Sequence, residues 1–282
     1  MKTILRALLL LLPILLLTAC MKPETVPPTA NTSTATVAAP LSTTAATEPN
    51  ATAIPARAEL AARYQDKLPT AWGENLEGIL RKIDTQEQVL YLTFDACKAG
   101  YDKTLIDFLV QNQIPCTLFL TGCWVRSNPE HAAYLAQQRN FQIENHGDAH
   151  KPLSVNGRSA YKLAGTRNAG EVYDEIEQGA AAIAALTGIR PQYFRAGTAY
   201  YDDVALQLLA DLDMQAVGYT IAGDAGATLR KSQILKQCAN PPNGAILLFH
   251  LNHPESDTGE AIEALVPQLL QKGYRFALLG KQ

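Results

Sequence analysis

From about residue 57 onward, short unbroken apolar runs alternate with longer stretches whose apolar residues recur every three or four positions. The runs at 89–94, 116–120, 141–143, 192–194, 214–217, 245–249 and 276–279 read as short buried strands. The stretches at 102–113, 129–138, 171–186, 203–211, 231–238 and 260–272 read as helices. Asn168, three residues before Glu171, suits a helix start, and Gly188 suits the stop of the same helix. Seven strands alternating with helices predict a parallel α/β domain in the form of a closed or distorted (β/α) barrel. A helical extension at 57–86, carrying a helix at 58–67 and then Trp72, leads into the main domain at 87–282. About 225 residues suit a single domain of this kind.

The first 56 residues follow another pattern. Lys2 and Arg6 precede an apolar run at 7–17 broken only by Pro13. That run is too short for a comfortable membrane span and reads as an export signal over residues 1–20. It closes on Leu17-Thr18-Ala19-Cys20, which resembles a bacterial lipobox. The resemblance implies cleavage before Cys20 and lipidation of its sulfur; an ordinary signal peptide with an incidental cysteine is the alternative. Met21, rather than Asp, favours the outer membrane facing the periplasm if the cell is Gram-negative. Residues 21–56 are rich in Thr, Ala, Pro and Ser and poor in large apolar groups, so they predict a disordered tether. A Pro-rich extended tether of roughly 35 residues reaches on the order of 100 Å.

Charge narrows the partners. The chain carries 24 basic and 27 acidic residues, a net charge of −3. Loss of residues 1–20 removes two cations and no acid, giving 22 − 27 = −5. A mildly acidic chain has no basic stripe for nucleic acid. Cys97, Cys116, Cys123 and Cys238 remain after cleavage, and an exported protein can pair them.

In parallel α/β folds ligands gather at the carboxyl ends of the strands. Those positions hold Asp95, then His146 and His150, then Arg195, then Asp224, and finally His250. Two imidazoles four residues apart, just after a strand, can point the same way toward a zinc-like metal. Each residue also has a plain structural reading, as a cap, a surface ion pair or a satisfied core histidine. All of them at one predicted face argue for a site.

With these residues in order, the chain resembles the polysaccharide deacetylases, carbohydrate esterase family 4, over roughly residues 88–279. The family's Thr-Phe-Asp-Asp motif appears as Thr93-Phe94-Asp95-Ala96, and its His-x-x-x-His motif lies within Asn145-His146-Gly147-Asp148-Ala149-His150-Lys151-Pro152-Leu153. Its Phe-Arg-Pro motif appears as Phe194-Arg195-Ala196-Gly197, its last motif as Leu248-Phe249-His250, and its closing Gly-Tyr strand as Gly273-Tyr274-Arg275-Phe276. The resemblance implies a metal-dependent hydrolase that removes an acyl group from an amino sugar. His146 and His150 would hold a divalent metal, expected to be zinc, and Asp95 would be the general base, held ionised by Arg195. His250 would protonate the leaving amine, with Asp224 keeping it charged, and a backbone N–H near residues 198–200 would face the oxyanion.

One departure matters. The family's second Asp, a metal ligand, is Ala96 here. The third ligand is open among Asp95, Cys97, Asp148 and Asp102, or the metal is weak or absent. A Cys97–Cys123 disulfide would remove Cys97 from contention. His253 lies on the loop after the sixth run and reads as a loop histidine. The stretch 151–167, with Tyr161 and several cations, is expected to lie over the pocket and select substrate. The rival readings are an inactive carbohydrate-binding lipoprotein on the same fold, supported by Ala96, and hydrolysis of another non-peptide C–N bond such as a formamide.

Overall fold

The computed structural model describes residues 54–98 and 100–280. The expected signal peptide, Cys20 and the tether through residue 53 lie outside the described residues. Seven parallel strands form one curled sheet in the order Ile221–Ala222, Ile246–His250, Val89–Ala96, Cys116–Leu120, Phe141–Asn145, Tyr193–Phe194 and Gln215–Ala216. Arg275–Phe276 adds a short parallel pairing at the start of Val89–Ala96. The expected distorted barrel is present as this curled half-barrel.

The period-two alternation of a strand explains how the opening strand serves two layers. All eight residues of Val89–Ala96 are buried. Leu90, Leu92, Phe94 and Ala96 belong to the cluster beneath the helices Lys103–Gln111 and Thr258–Gln271. Val89 and Tyr91 pack with Phe119, Val217 and Ile246 in a separate cluster on the sheet's other face. Continuing that alternation carries Thr93 and then Asp95 along the second face to the carboxyl end.

Two boundaries differ from the sequence reading in ways that bear on the site. Asp224 does not close the 214–217 run; it follows a separate strand, Ile221–Ala222, too short to leave a periodic signal. A helix at Gly122–Ser127 lies where the sequence pattern marks no element, and Thr121 caps it by accepting from the Trp124 N–H at 3.1 Å. The long helix Ala169–Thr187 starts and stops as expected: Asn168 accepts from the Glu171 N–H at 2.9 Å, and Gly188 is left-handed at φ 75°.

The segment before the first strand is built into the sheet. Leu80 bridges Val217, just past the Gln215–Ala216 edge strand, and Lys82 bridges Ala245, at the start of Ile246–His250. Trp72–Gly73 pairs antiparallel with Tyr201–Asp202. The Asp203 carboxylate accepts from the Thr70 N–H at 2.9 Å and the Ala71 N–H at 3.1 Å. No helix among the described residues is long and apolar enough to cross a membrane.

Candidate active site

The histidine loop leaves the end of Phe141–Asn145 and is gripped from two sides. The His146 N–H donates to Leu120 O at 3.1 Å, and the Gly147 N–H donates to Asn145 Oδ1 at 2.9 Å. From the helix Ala169–Thr187, the Glu175 carboxylate accepts from the Ala149 and Lys151 N–H groups, each at 3.0 Å. Gly179 lets that helix come close: a Cβ there would lie 2.3 Å from Asn145 Oδ1 and 2.7 Å from the Gly147 carbonyl carbon. On the other side, a Cβ on Gly197 would lie 2.2 Å from His150 O. His150 itself is left-handed at φ 62°. Glu175 did not figure among the sequence candidates, although an acid among Val172, Ile176 and Gly179 on a buried helix face is a visible signal.

His146 is fully buried, and its Nδ1 lies 2.8 Å from Arg195 O. A carbonyl can only accept, so Nδ1 carries the proton and Nε2 faces the site with its lone pair. Nε2 lies 3.6 Å from Cys97 Sγ and 3.4 Å from Asp95 Oδ2.

Asp95 and Arg195 form a buried pair. Arg195 Nη1 donates to Asp95 Oδ1 at 2.6 Å, while Nη2 donates to Thr93 Oγ1 at 3.0 Å and Gly218 O at 2.9 Å. The guanidinium also stacks 4.2 Å from the Phe119 ring centroid. Burial would push the Asp95 carboxyl up, but Arg195 and the nearby histidines outweigh it and hold the group below the usual carboxylate range.

Opposite lies His250, whose backbone is in register with Asp95 across the parallel ladder. His250 Nδ1 is 2.9 Å from Asp224 Oδ1, and Asp224 Oδ2 accepts from the His250 N–H at 2.8 Å and from Thr258 Oγ1 at 3.0 Å. Burial alone would lower the imidazole, yet Asp224 and Cys97 raise it well above its ordinary value. His253 is engaged elsewhere, with its Nδ1 2.8 Å from Glu255.

Among the candidate third ligands, Cys97 groups with the two histidines. One ligand atom each from Cys97, His146 and His150 lies within 4.8 Å of the other two. Modest side-chain rotation brings such a set toward the roughly 3.3–3.7 Å spacing of ligands around a tetrahedral ion. Burial works against the Cys97 thiolate, but His146, His150 and His250 drive its pKa well below the ordinary value. Of the alternatives, Asp95 stays at the site, its Oδ2 3.4 Å from His146 Nε2, whereas Asp148 and Asp102 are engaged elsewhere. Asp148 is paired with Arg126 at 2.7 Å and packs on Gly122. Asp102 caps the helix Lys103–Gln111 through the Leu105 N–H at 3.0 Å. Ala96 lies in the apolar cluster with Phe94, Leu120 and Trp124, while the next residue turns its sulfur into the site. The considered Cys97–Cys123 disulfide is absent: both thiols are free, and Cys123 Sγ points at the Cys97 carbonyl oxygen at 3.4 Å.

A cavity of about 340 Å³ opens above these groups, lined by Asp95, His150, Tyr161, Thr198, Tyr219 and Leu248 among others. Thr198 and Ala199 are both left-handed, at φ 70° and 57°. Thr198 is β-branched, and such strain gathers at functional sites. The residue lines the cavity, while its Oγ1 is buried without a hydrogen-bond partner.

The family model of the polysaccharide deacetylases matches residues 82–217. An uncharacterized Bacillus subtilis protein, YlxY, is 26% identical over 219 residues, covering 75% of this chain and 62% of that one. The B. subtilis peptidoglycan-N-acetylmuramic acid deacetylase PdaA is 26% identical over 223 residues, covering 74% of this chain and 78% of that one. Thus the chain spans less than two thirds of YlxY but most of PdaA. A solved pseudoenzyme of carbohydrate esterase family 4 from Bacillus anthracis superposes with a TM-score of 0.58 at 22% identity, covering 71% of this chain and 66% of that one. A mutant of that pseudoenzyme with restored enzymatic activity shares the fold, with a TM-score of 0.58. At such identity the structural likeness carries the fold.

Proposed function

Because residues 82–217 match the polysaccharide deacetylase family model, we propose that the chain is a member of that family and a metal-dependent hydrolase of non-peptide C–N bonds. Its substrate in this reading is an N-acylated, chiefly N-acetylated, amino sugar of an envelope polysaccharide or peptidoglycan. The observation that carries the reading is the grouping of Asp95–Arg195, Asp224–His250 and the Cys97, His146, His150 cluster beneath one cavity, whose wall Asp95 and His150 form in part.

The residues divide the work. A divalent ion held by Cys97, His146 and His150 would supply Lewis acidity to the amide carbonyl and acidify water; two imidazoles and a thiolate suit zinc. Arg195 occupies Asp95 Oδ1, which leaves Oδ2 to take the proton from attacking water. Asp224 occupies His250 Nδ1 and keeps the ring charged, so Nε2 can give a proton to the departing amine. Thr198, whose buried Oγ1 lacks a partner, would donate a hydrogen bond to the substrate's oxygen on turning its side chain into the cavity.

Two measurements test this. Metal analysis of the purified protein is paired with acetate release from N-acetylglucosamine oligomers; no release from any glycan at full metal occupancy would overturn it. In the second, cobalt(II) is exchanged into the site. We expect a sulfur-to-cobalt charge-transfer band in the near ultraviolet that vanishes in Cys97→Ser, and loss of most bound ion in His146→Ala. A cobalt spectrum unchanged by Cys97→Ser would remove the thiolate from the ligand set.

A second reading has support of its own. Ala96 stands where the family pattern has a ligand, and a fold neighbour is described as a pseudoenzyme. A catalytically silent glycan-binding protein would bind oligomers equally well with and without chelator and release no acetate.

We further place the chain in a bacterial envelope, lipid-anchored through Cys20, on the strength of Leu17-Thr18-Ala19-Cys20. Metabolic labelling with a clickable fatty acid should tag the protein and fail on Cys20→Ser. Absence of label in the wild type would refute the anchor.

A further inference from the structure

Residues that precede the matched domain contact the side chains beside and on the cavity wall. Trp72 sits on the strand Trp72–Gly73, held against Tyr201–Asp202 and tied down by Asp203. Its ring centroid lies 5.5 Å from that of Tyr200, and the Tyr200 centroid lies 5.6 Å from that of Tyr161. Two residues on, Glu74 accepts from the Tyr219 hydroxyl at 2.7 Å. Tyr161 and Tyr219 both line the cavity that contains Asp95 and His150. The aromatic row therefore runs without a break from the rim into the site.

Tyr161 is held in place by an unfavourable turn. It forms, with Lys162, the tip of the hairpin joining Ser159–Ala160 to Leu163–Ala164. Both tip residues are left-handed, at φ 48° and 65°. Turns of this type favour Asn and Gly, because side chains with a Cβ are strained there. A tyrosine at the tip, 71% exposed, neither relieves the turn nor fills the core. Strain combined with exposure of a large ring points to a surface that meets a ligand.

We propose that Trp72, Tyr161 and Tyr200 form a carbohydrate subsite that stacks the C–H face of a pyranose ring next to the sugar presented to Asp95. Aromatic faces are electron-rich and pack well on the partly positive C–H groups of a sugar ring. The inference rests on the glycan reading and deepens it: it sets a requirement for an oligosaccharide and assigns chain-length selectivity to the N-terminal segment.

The sequence contains two tryptophans. Trp124 is fully buried, with its indole N–H donating to Gly100 O at 2.9 Å, whereas Trp72 is half-buried. A change in tryptophan emission on adding glycan therefore reports on Trp72. The full-length protein is titrated with N-acetylglucosamine oligomers of increasing length. A saturable emission change is expected for the longer oligomers, and Tyr161→Ala should weaken their binding about 3- to 10-fold, the loss of one stacking partner. In steady-state assays Tyr161→Ala and Trp72→Ala should raise KM more for long oligomers than for the dimer, and Trp72→Phe, which keeps a ring, should restore most of the loss. Equal effects at every chain length, or no emission response during active turnover, would overturn the subsite. Saturable, Tyr161-dependent quenching without acetate release would keep the subsite and overturn the hydrolase reading instead. Failure of every oligomer to bind would overturn both for this class of glycan.

Discussion

Replacing Asp95 with Asn is expected to lower kcat/KM by roughly 10²–10⁴-fold, the usual contribution of a positioned general base. Asn keeps the shape and can still accept from Arg195 Nη1 through Oδ1, the atom that now receives that bond at 2.6 Å. What it loses is Oδ2 as a proton acceptor, the atom 3.4 Å from His146 Nε2. Metal content should stay near stoichiometric, because Cys97, His146 and His150 are untouched. The measurement is acetate release from N-acetylglucosamine oligomers, with metal analysis on the same samples. Near-wild-type turnover with Asp95→Asn would assign the proton to another group. Loss of metal along with activity would place Asp95 among the ligands.

Arg195→Met should produce the largest stability change. The arginine is fully buried and its head group touches Asp95, Thr93, Gly218 and Phe119. Met fills most of the volume but leaves a buried carboxylate without its partner, a loss of about 3–5 kcal/mol. For a domain of this size the melting temperature should fall on the order of 10 °C. The pH dependence carries a sign. In the wild type Asp95 titrates below its unfolded value near roughly 3.9, so its contribution is complete above that pH and disappears as pH falls through the lower folded value. In Arg195→Met, burial dominates and the Asp95 carboxyl rises, so the variant gains relative stability as acid neutralises the group. Thermal melts of the metal-free proteins across the acidic range should show the gap between wild type and variant narrowing as pH drops. A constant gap would mean that lost packing, rather than the stranded charge, carries the effect.

Much of this architecture was legible from one dimension. Strands such as 116–120 are apolar on both faces because helices cover one side and neighbouring side chains fill the other, so their signal survives without tertiary context. The Ile221–Ala222 strand is two residues long and owes its existence to pairing with Ile246–His250, so no local pattern announces it. The helix Ala169–Thr187 was bounded by Asn168 and Gly188 because caps act over a few residues. The six-residue helix Gly122–Ser127 had too few turns to show a period.

The site divides along the same line. Residue type and position at strand ends were enough to single out Asp95, His146, His150, Arg195 and His250, since a strand's end is set by local sequence and the fold class sets what gathers there; Asp224 was found by residue type but set after the wrong strand. Pairing was a matter of distance between segments far apart in the chain. That Cys97 faces the two histidines while Asp148 turns to Arg126, that Glu175 holds the histidine loop, and that Trp72 packs beside Tyr200 all depend on how the sheet curls and on which side each loop falls. Sequence carries the period of a strand and the chemistry of a side chain. The direction in which a loop side chain points is decided by contacts with distant residues, and only the folded chain contains them.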